Sequence, residues 1–211
     1  MIDLKRIISA LQFKRPLFHS EADFQLALAW EIQIQYPEAQ IRLEYNYPHV
    51  VDNIYLDIWV RYKDHHFPIE LKYKSKKSAH IIQGEHYNLK DHSAQDCGRY
   101  DFIKDISRVE QVISKEISTI GYAIILTNDS LYWKPSNKID SVDAAFKIHE
   151  GRILSGSLRW GDLASIGTTR GREKDILINH SYLFNWERYS LLSNSSSGEF
   201  KILIVEIRSN L

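Results

Sequence analysis

The order of apolar and polar residues predicts two helices and three strands in the first part of the chain. Apolar residues recur at helical spacing over residues 2–12, and Pro16 ends that stretch. Ser20 is a typical N-cap, and the apolar run after it predicts a helix that ends near Pro37. The period then changes to two, which predicts three strands with the last two as a hairpin: Ile41–Tyr47, Ile54–Tyr62 and Phe67–Tyr73.

The middle of the chain predicts a crossover between two parallel strands. Residues 74–98 are polar and predict a long loop or an irregular segment. Helical spacing returns over Tyr100–Ile117, which Gly121 is expected to stop, and Tyr122–Thr127 is an apolar run typical of a buried strand. A helix between two strands is the connection that parallel neighbours require, so Phe67–Tyr73 and Tyr122–Thr127 are expected to run in parallel.

The last third of the chain predicts further β-structure. A short helix is expected over Val142–His149, and a Ser/Asn-rich loop over Ser193–Gly198. Three strands are expected in the same part of the chain: Gly151–Trp160, Ile176–Ile178 and Phe200–Ile207. The whole pattern predicts one α/β domain over residues 1–211, with a core over about 20–127 and a β-rich C-terminal extension over about 128–211.

Composition narrows the class of protein. The chain carries 27 basic and 27 acidic residues, so a nucleic-acid partner would have to be held by local patches. Cys97 is the only cysteine, which excludes an internal disulfide. The sequence has no apolar run of membrane-spanning length and its start lacks the apolar core of a signal peptide, so we expect a cytoplasmic protein without a membrane span.

The predicted hairpin carries the candidate chemistry. In its first strand Tyr55, Asp57, Trp59 and Arg61 share one face, opposite an aliphatic face made of Leu56, Ile58 and Val60. In its second strand Glu70 and Lys72 share one face. An acid in mid-strand is costly to bury unless it is paired, so Asp57, Glu70 and Lys72 are expected to converge on one side of the sheet.

Two carboxylates and an ammonium group in one place suit a hard divalent cation such as Mg²⁺. A bound Mg²⁺ polarises a phosphate and acidifies a bound water. Lys72 would deprotonate or orient that water, or neutralise charge that develops on the phosphate. The backbone carbonyl of Leu71 is a candidate for a further ligand.

Asp57, twelve residues and then Glu70-Leu71-Lys72 resembles the motif of the PD-(D/E)XK nuclease superfamily. The resemblance covers roughly residues 20–127. It implies a restriction endonuclease-like core: a helix, a three-stranded antiparallel meander, a crossover helix and a strand. It also implies Mg²⁺, with Mn²⁺ as a substitute, bound by Asp57 and Glu70, with Lys72 at the attacking water and Glu21 facing the site. Leu56 stands where the family's name has proline.

The function predicted from this resemblance is Mg²⁺-dependent hydrolysis of DNA phosphodiester bonds. RNA stays open as a substrate, as do duplex, single-stranded and branched DNA. Family members that cut both strands commonly dimerise, so the analogy also allows a homodimer. Two alternatives remain: a catalytically silent module on the same fold that binds nucleic acid or supports assembly, and an interaction protein with no nucleic-acid role.

Each candidate residue also has a structural interpretation. Asp57 would pair with Arg61 or Lys72, Glu70 and Lys72 would lie on an exposed strand face, and Glu21 would favour the helix dipole. Lys74, Lys76 and Lys77 predict a basic patch that holds a DNA backbone, or else a solvated strand end. A second, weaker patch comprises Arg170, Arg172 and Lys174. Asp101, Asp105 and Arg108 share one helical stripe, where Asp105 and Arg108 are interpreted as a structural pair.

Overall fold

The computed structural model describes residues 1–49, 54–116, 119–136 and 140–208. The helices are α1 Leu4–Lys14, α2 Glu21–Gln35, α3 Gln95–Ile113 and α4 Ile166–Thr169. The strands are β1 Gln40–Tyr47, β2 Ile54–Tyr62, β3 His65–Lys74, β4 Ser78–Ile82, β5 Glu85–Leu89, β6 Ile120–Thr127, β7 Ile153–Leu158, β8 Ile176–Leu183, β9 Trp186–Leu191 and β10 Glu199–Arg208. None of the described helices is long and apolar enough to cross a membrane.

A six-stranded, mostly antiparallel sheet forms the centre of the fold. Its strand order is β1-β2-β3-β6-β10-β9, and β4-β5 and β7-β8 form two separate two-stranded sheets. Within the large sheet β3 and β6 are parallel, and the other neighbouring pairs are antiparallel. The predicted mixed α/β fold is confirmed, as are the hairpin of β2 with β3 and the parallel pairing of β3 with β6 across α3.

Helices cover both faces of this sheet. One face packs under α1 and α2 through side chains such as Ile58, Ile69 and Ile124. The opposite face packs under α3 through side chains such as Ala123 and Ile125. Every residue of β6 is buried, as its continuous apolar sequence predicts for a strand that is covered on both sides. A charged group between α3 and the sheet is therefore withdrawn from water.

The end of α3 differs from the prediction. The helix ends at Ile113, and Ile117, where the predicted helix ends, lies outside the described residues. Gly121 lies inside β6 instead of stopping the helix. A Cβ at this position would collide with the side chains of Val109 and Ile113, so Gly121 allows the close approach of α3 to the sheet.

The polar segment after β3 contains a hairpin where a loop was predicted. The strands β4 and β5 are joined by Gln83 and Gly84, which have φ angles of 51° and 84°. Two residues with positive φ make the tight turn that matches the twist of a two-stranded hairpin. Tyr87 and Leu89 bury one side of β5 against the main core. The prediction missed the hairpin because its strands are short and carry few apolar residues.

The last third also departs from the prediction in detail. The helix expected over Val142–His149 is a single 3-10 turn over Ala144–Phe146. The strand expected over Gly151–Trp160 is shorter and is β7, and the strand that begins at Ile176 extends to Leu183 as β8. β9 was not predicted. Its pairing with β10 shifts register between Phe200 and Lys201, which interrupts the alternation that marks a strand.

Candidate active site

A fork opens in the sheet between β2 and β3. The two strands pair from Tyr62 opposite His65 to Ile58 opposite Ile69, and no further. Beyond that point β2 continues beside β1, and β3 continues beside β6. Backbone groups of β3 that face the fork therefore lack a strand partner, and buried backbone groups need a substitute.

Two carboxylates supply that substitute. Asp57 Oδ2 accepts a hydrogen bond of 2.5 Å from Leu71 N, and Glu21 Oε2 accepts one of 2.7 Å from Tyr73 N. Glu21 reaches the fork because Ser20 caps α2 and makes it the first helical residue. The contact of Glu21 is therefore with the backbone of β3, beside the acids of the fork.

The side-chain alternation of β2 breaks at the fork. Ile58 and Val60 belong to the core under α1 and α2, but Leu56 packs with Trp59 and Val112. The predicted common face of Leu56, Ile58 and Val60 is therefore wrong at Leu56. The physical reason is that β2 turns away from β3 at Asp57, so its first residues follow β1 and meet α3.

Gln25 is a residue of the fork that the sequence prediction missed. Its Nε2 donates to the carbonyl oxygen of Asp57 at 2.6 Å and to Glu44 Oε1 at 2.9 Å. Gln25 lies four residues after Glu21, on the same side of α2. That spacing of four residues was the sequence signal that could have placed Gln25 beside Glu21.

Glu70 is the most buried acid of the fork. Its side chain is 1% exposed, and Oε1 has no hydrogen-bond partner among the described residues. Arg108 Nη1 lies 3.1 Å from Oε1, which makes an ion pair without an aligned hydrogen bond. Burial first, and then the charges of Asp105 and Asp57, raise the pKa of Glu70 well above its ordinary value.

Asp57 and Glu70 act on each other. Burial is the largest cause that raises the pKa of Asp57, and a hydrogen bond with the Glu70 carboxyl opposes it. The charge of Asp57 in turn raises the pKa of Glu70, so the two carboxyl groups lie close enough to influence each other. The structure brings Asp57 and Glu70 together, as the sequence predicted.

Lys72 is held as an ammonium group. Its Nζ lies 2.6 Å from Asp105 Oδ2 and donates to the carbonyl oxygen of Leu71 at 3.0 Å. Burial alone would lower the pKa of Lys72, but the carboxylates of Asp105, Asp57 and Glu21 raise it above its ordinary value. Of the roles predicted for Lys72, this favours orienting a water or neutralising charge over deprotonation.

Asp105 and Arg108 belong to the site, although the sequence indicated a structural pair. They do contact each other, with Arg108 Nη1 3.4 Å from Asp105 Oδ1. Across the gap between α3 and β3, however, Asp105 pairs with Lys72, and Arg108 pairs with Glu70. Burial first raises the pKa of Asp105 to about 6. The third member of the helical stripe, Asp101, instead pairs with Arg172 at 2.7 Å.

The formal charges of the fork suit a divalent cation. The cations Lys72 and Arg108 face more acids than they can neutralise: Glu21, Asp57, Glu70 and Asp105. Among the described residues, no group of three or more His, Cys, Asp or Glu side chains could hold a metal ion. The predicted ligand set is smaller, because Mg²⁺ is often held by one or two carboxylates and waters. Glu70 Oε1, which accepts no hydrogen bond from the described residues, and the excess of acidic over basic side chains fit such an ion.

The predicted basic patch continues from the fork. Lys74 is half-buried and lines a cavity of about 240 Å³ together with His92, Asp101 and Arg172. Lys76 and Lys77 are exposed in the link between β3 and β4, whose backbone is fixed by hydrogen bonds between Lys76 and Asn128. The second predicted patch is divided, because Arg172 is paired with Asp101 and Arg170 and Lys174 are exposed.

Comparisons with known proteins add no family to this geometry. No protein-family model matches the chain, and no curated protein or solved structure matches it significantly. The PD-(D/E)XK resemblance therefore remains a prediction that rests on the residues of the fork.

Proposed function

We propose that this protein is a Mg²⁺-dependent nuclease with a restriction endonuclease-like core that hydrolyses phosphodiester bonds of DNA. One observation carries the proposal: Glu70 is buried beside Asp57 with an oxygen that accepts no hydrogen bond from the described residues, in a fork whose acids outnumber its cations. A buried acid in that situation costs free energy, and such a cost is typical of a group kept for function.

Asp57 and Glu70 are the residues that would hold Mg²⁺. The carbonyl oxygen of Leu71 is a third candidate, although it already accepts a hydrogen bond from Lys72. When bound, Mg²⁺ supplies Lewis-acid polarisation of the phosphate and a more acidic water. Mn²⁺ takes the same kind of oxygen ligands and would substitute for it.

Lys72 and Glu21 act around these ligands. Asp105 holds the protonated Lys72 Nζ at the fork, where it orients the attacking water and stabilises charge that develops on the phosphate. Glu21 fixes the free edge of β3 at Tyr73 and so keeps Glu70 and Lys72 in position.

Incubation with supercoiled, linear and single-stranded DNA, and with RNA, tests the proposal. Cleavage in Mg²⁺ or Mn²⁺ is expected, and Glu70→Gln and Lys72→Ala should each lower its rate by about 100-fold or more, as for loss of a charge-stabilising group. Lys63→Ala, an exposed lysine in the turn after β2, is the matched control and should cut normally. Equal cleavage by all variants would indicate a contaminant and reject the proposal.

A catalytically silent nucleic-acid-binding or assembly module is the second candidate. It is favoured by the observation that Lys72 and Arg108 already neutralise part of the fork without a metal. Salt-dependent DNA binding without any metal-dependent hydrolysis would select this candidate.

A further inference from the structure

Arg108 lies where the buried acid of the fork meets open surface. Its Nη2 donates to the carbonyl oxygen of Tyr55 at 2.9 Å, and its Nη1 lies 3.1 Å from Glu70 Oε1. The guanidinium group thus bridges β2, β3 and α3. With 24% of its side chain exposed, it is more accessible to solvent than the side chains of Lys72, Asp105 and Glu70.

The other side of Arg108 faces a groove. This groove has a volume of about 540 Å³ and lies between α3 and residues 171–177. Its lining includes the basic side chains of Lys104 and Lys174 beside Arg108, and the acidic side chains of Glu173 and Asp175 on the far wall. Arg108 therefore stands between an open groove, whose wall on α3 is basic through Lys104 and Arg108, and an acid that is closed to solvent.

The contact of Arg108 with Glu70 is a poor one for a structural ion pair. Structural pairs that are buried are normally aligned and satisfy both partners. The buried acid Glu110 shows this in the same helix, because it accepts five hydrogen bonds from Asn179, His180 and Tyr182. Glu70 Oε1 accepts none from Arg108 or from any other described residue.

We propose that Arg108 is the resident counterion of Glu70, leaves that carboxylate when a divalent cation binds, and then binds the substrate phosphate from the groove. This inference rests on the proposed function, because it requires a metal at Asp57 and Glu70. Two cations beside one buried carboxylate repel each other strongly, so Arg108 and the metal compete for Glu70. The planar guanidinium group presents donors in a fork that fits two phosphate oxygens.

Competition between Arg108 and the metal for Glu70 predicts a pattern of variant effects that a purely structural role of Arg108 does not. Removal of the Arg108 charge should strengthen metal binding and weaken cleavage, whereas loss of a structural contact should weaken both. The measurement is Mn²⁺ titration of the full chain without DNA, followed by calorimetry or by the Mn²⁺ electron paramagnetic resonance signal. Arg108→Gln should bind Mn²⁺ about three- to tenfold more tightly than the wild type, because a competing buried charge is gone.

Cleavage provides the second half of this pattern. Arg108→Gln should cut DNA at least about tenfold more slowly despite its tighter Mn²⁺ binding, because the phosphate loses a bidentate partner. Arg108→Lys retains the charge but not the fork, so its Mn²⁺ affinity should stay near that of the wild type. Arg172→Gln is the matched control, because Arg172 pairs with Asp101 of the same helix and not with an acid of the fork, and its Mn²⁺ affinity should not change.

The outcomes separate this inference from the proposed function. No Mn²⁺ binding by the wild type would overturn the nuclease proposal and this inference with it. Mn²⁺ binding by the wild type that is unchanged or weaker in Arg108→Gln overturns only the counterion role. Circular dichroism verifies the fold of each variant, and Arg108→Met, which retains the aliphatic stem, replaces the glutamine variant where that variant does not fold.

Discussion

At the scale of single residues, the buried acids of this protein fall into two kinds. Glu31 is buried but accepts hydrogen bonds from Lys14 and Gln35. Although burial alone would raise the pKa of Glu31, these bonds lower it below its ordinary value. Glu70 is buried to a similar degree, yet its pKa is raised. The contrast indicates that Glu31 stabilises the fold and that Glu70 is tolerated at a cost to stability.

Replacement of Glu70 by glutamine should therefore stabilise the protein. A raised pKa means that the folded state binds a proton more readily than the unfolded chain. Stability therefore falls as the pH rises from the ordinary pKa of a glutamate to the raised pKa of Glu70. Glu70→Gln removes this loss of stability, so its free energy of unfolding should exceed that of the wild type by about 0.5–2 kcal/mol near pH 8. The gain should shrink as the pH falls toward the ordinary pKa of 4.5, because Glu70 is then protonated in a growing fraction of the unfolded chains as well. Thermal denaturation without metal at both pH values measures it.

Glu31→Gln is the control for this prediction. Its lowered pKa reverses the sign, so the glutamine variant should lose stability at neutral pH, and this loss should diminish in acid. A loss of stability in Glu70→Gln as well would show that Glu70 is a structural acid.

At the scale of helices and strands, local pattern predicted the elements better than their contacts. Asp57, Glu70 and Lys72 could be placed together because alternation along one hairpin determines which side chains meet. The fork could not be predicted, because no local signal marks where two paired strands separate. Asp105 and Arg108 were visible as a helical stripe, but the face of the sheet that α3 covers depends on tertiary packing.

Glu110 joins two of these elements, and its loss should separate them. Its carboxylate accepts the backbone N–H groups of Asn179 and His180, which fixes β8 against α3. Glu110→Ala leaves these part-buried donors without this partner and should cost about 1–3 kcal/mol. Urea denaturation measures the loss. Glu187→Ala, which removes an exposed acid of β9, is the control and should change the free energy of unfolding by less than about 0.5 kcal/mol.

At the scale of the whole molecule, charge is balanced but unevenly distributed. With 27 basic and 27 acidic residues, the chain exerts little long-range attraction on DNA. The fork itself carries surplus negative charge and repels phosphate. The strands β9 and β10 extend the same sheet beyond β6, and their three acidic and three basic residues add no net charge. On the proposed function, the affinity for DNA must therefore come from a few local cations.

The salt dependence of DNA binding reports how many phosphates those cations neutralise. If Lys74, Lys76 and Lys77 each neutralise one phosphate, the logarithm of affinity should fall with the logarithm of salt with a slope of about −3. Fluorescence anisotropy of a labelled duplex, in a buffer without Mg²⁺ or Mn²⁺, measures this slope. Replacement of all three lysines by alanine should bring the slope close to zero. Replacement of three exposed lysines elsewhere, at positions Lys5, Lys63 and Lys134, should leave it unchanged. A wild-type slope in both triple variants would show that the phosphate contacts do not lie in the link after β3. Lys104 and Arg108, on the wall of the groove that α3 forms, would then be the next cations to replace.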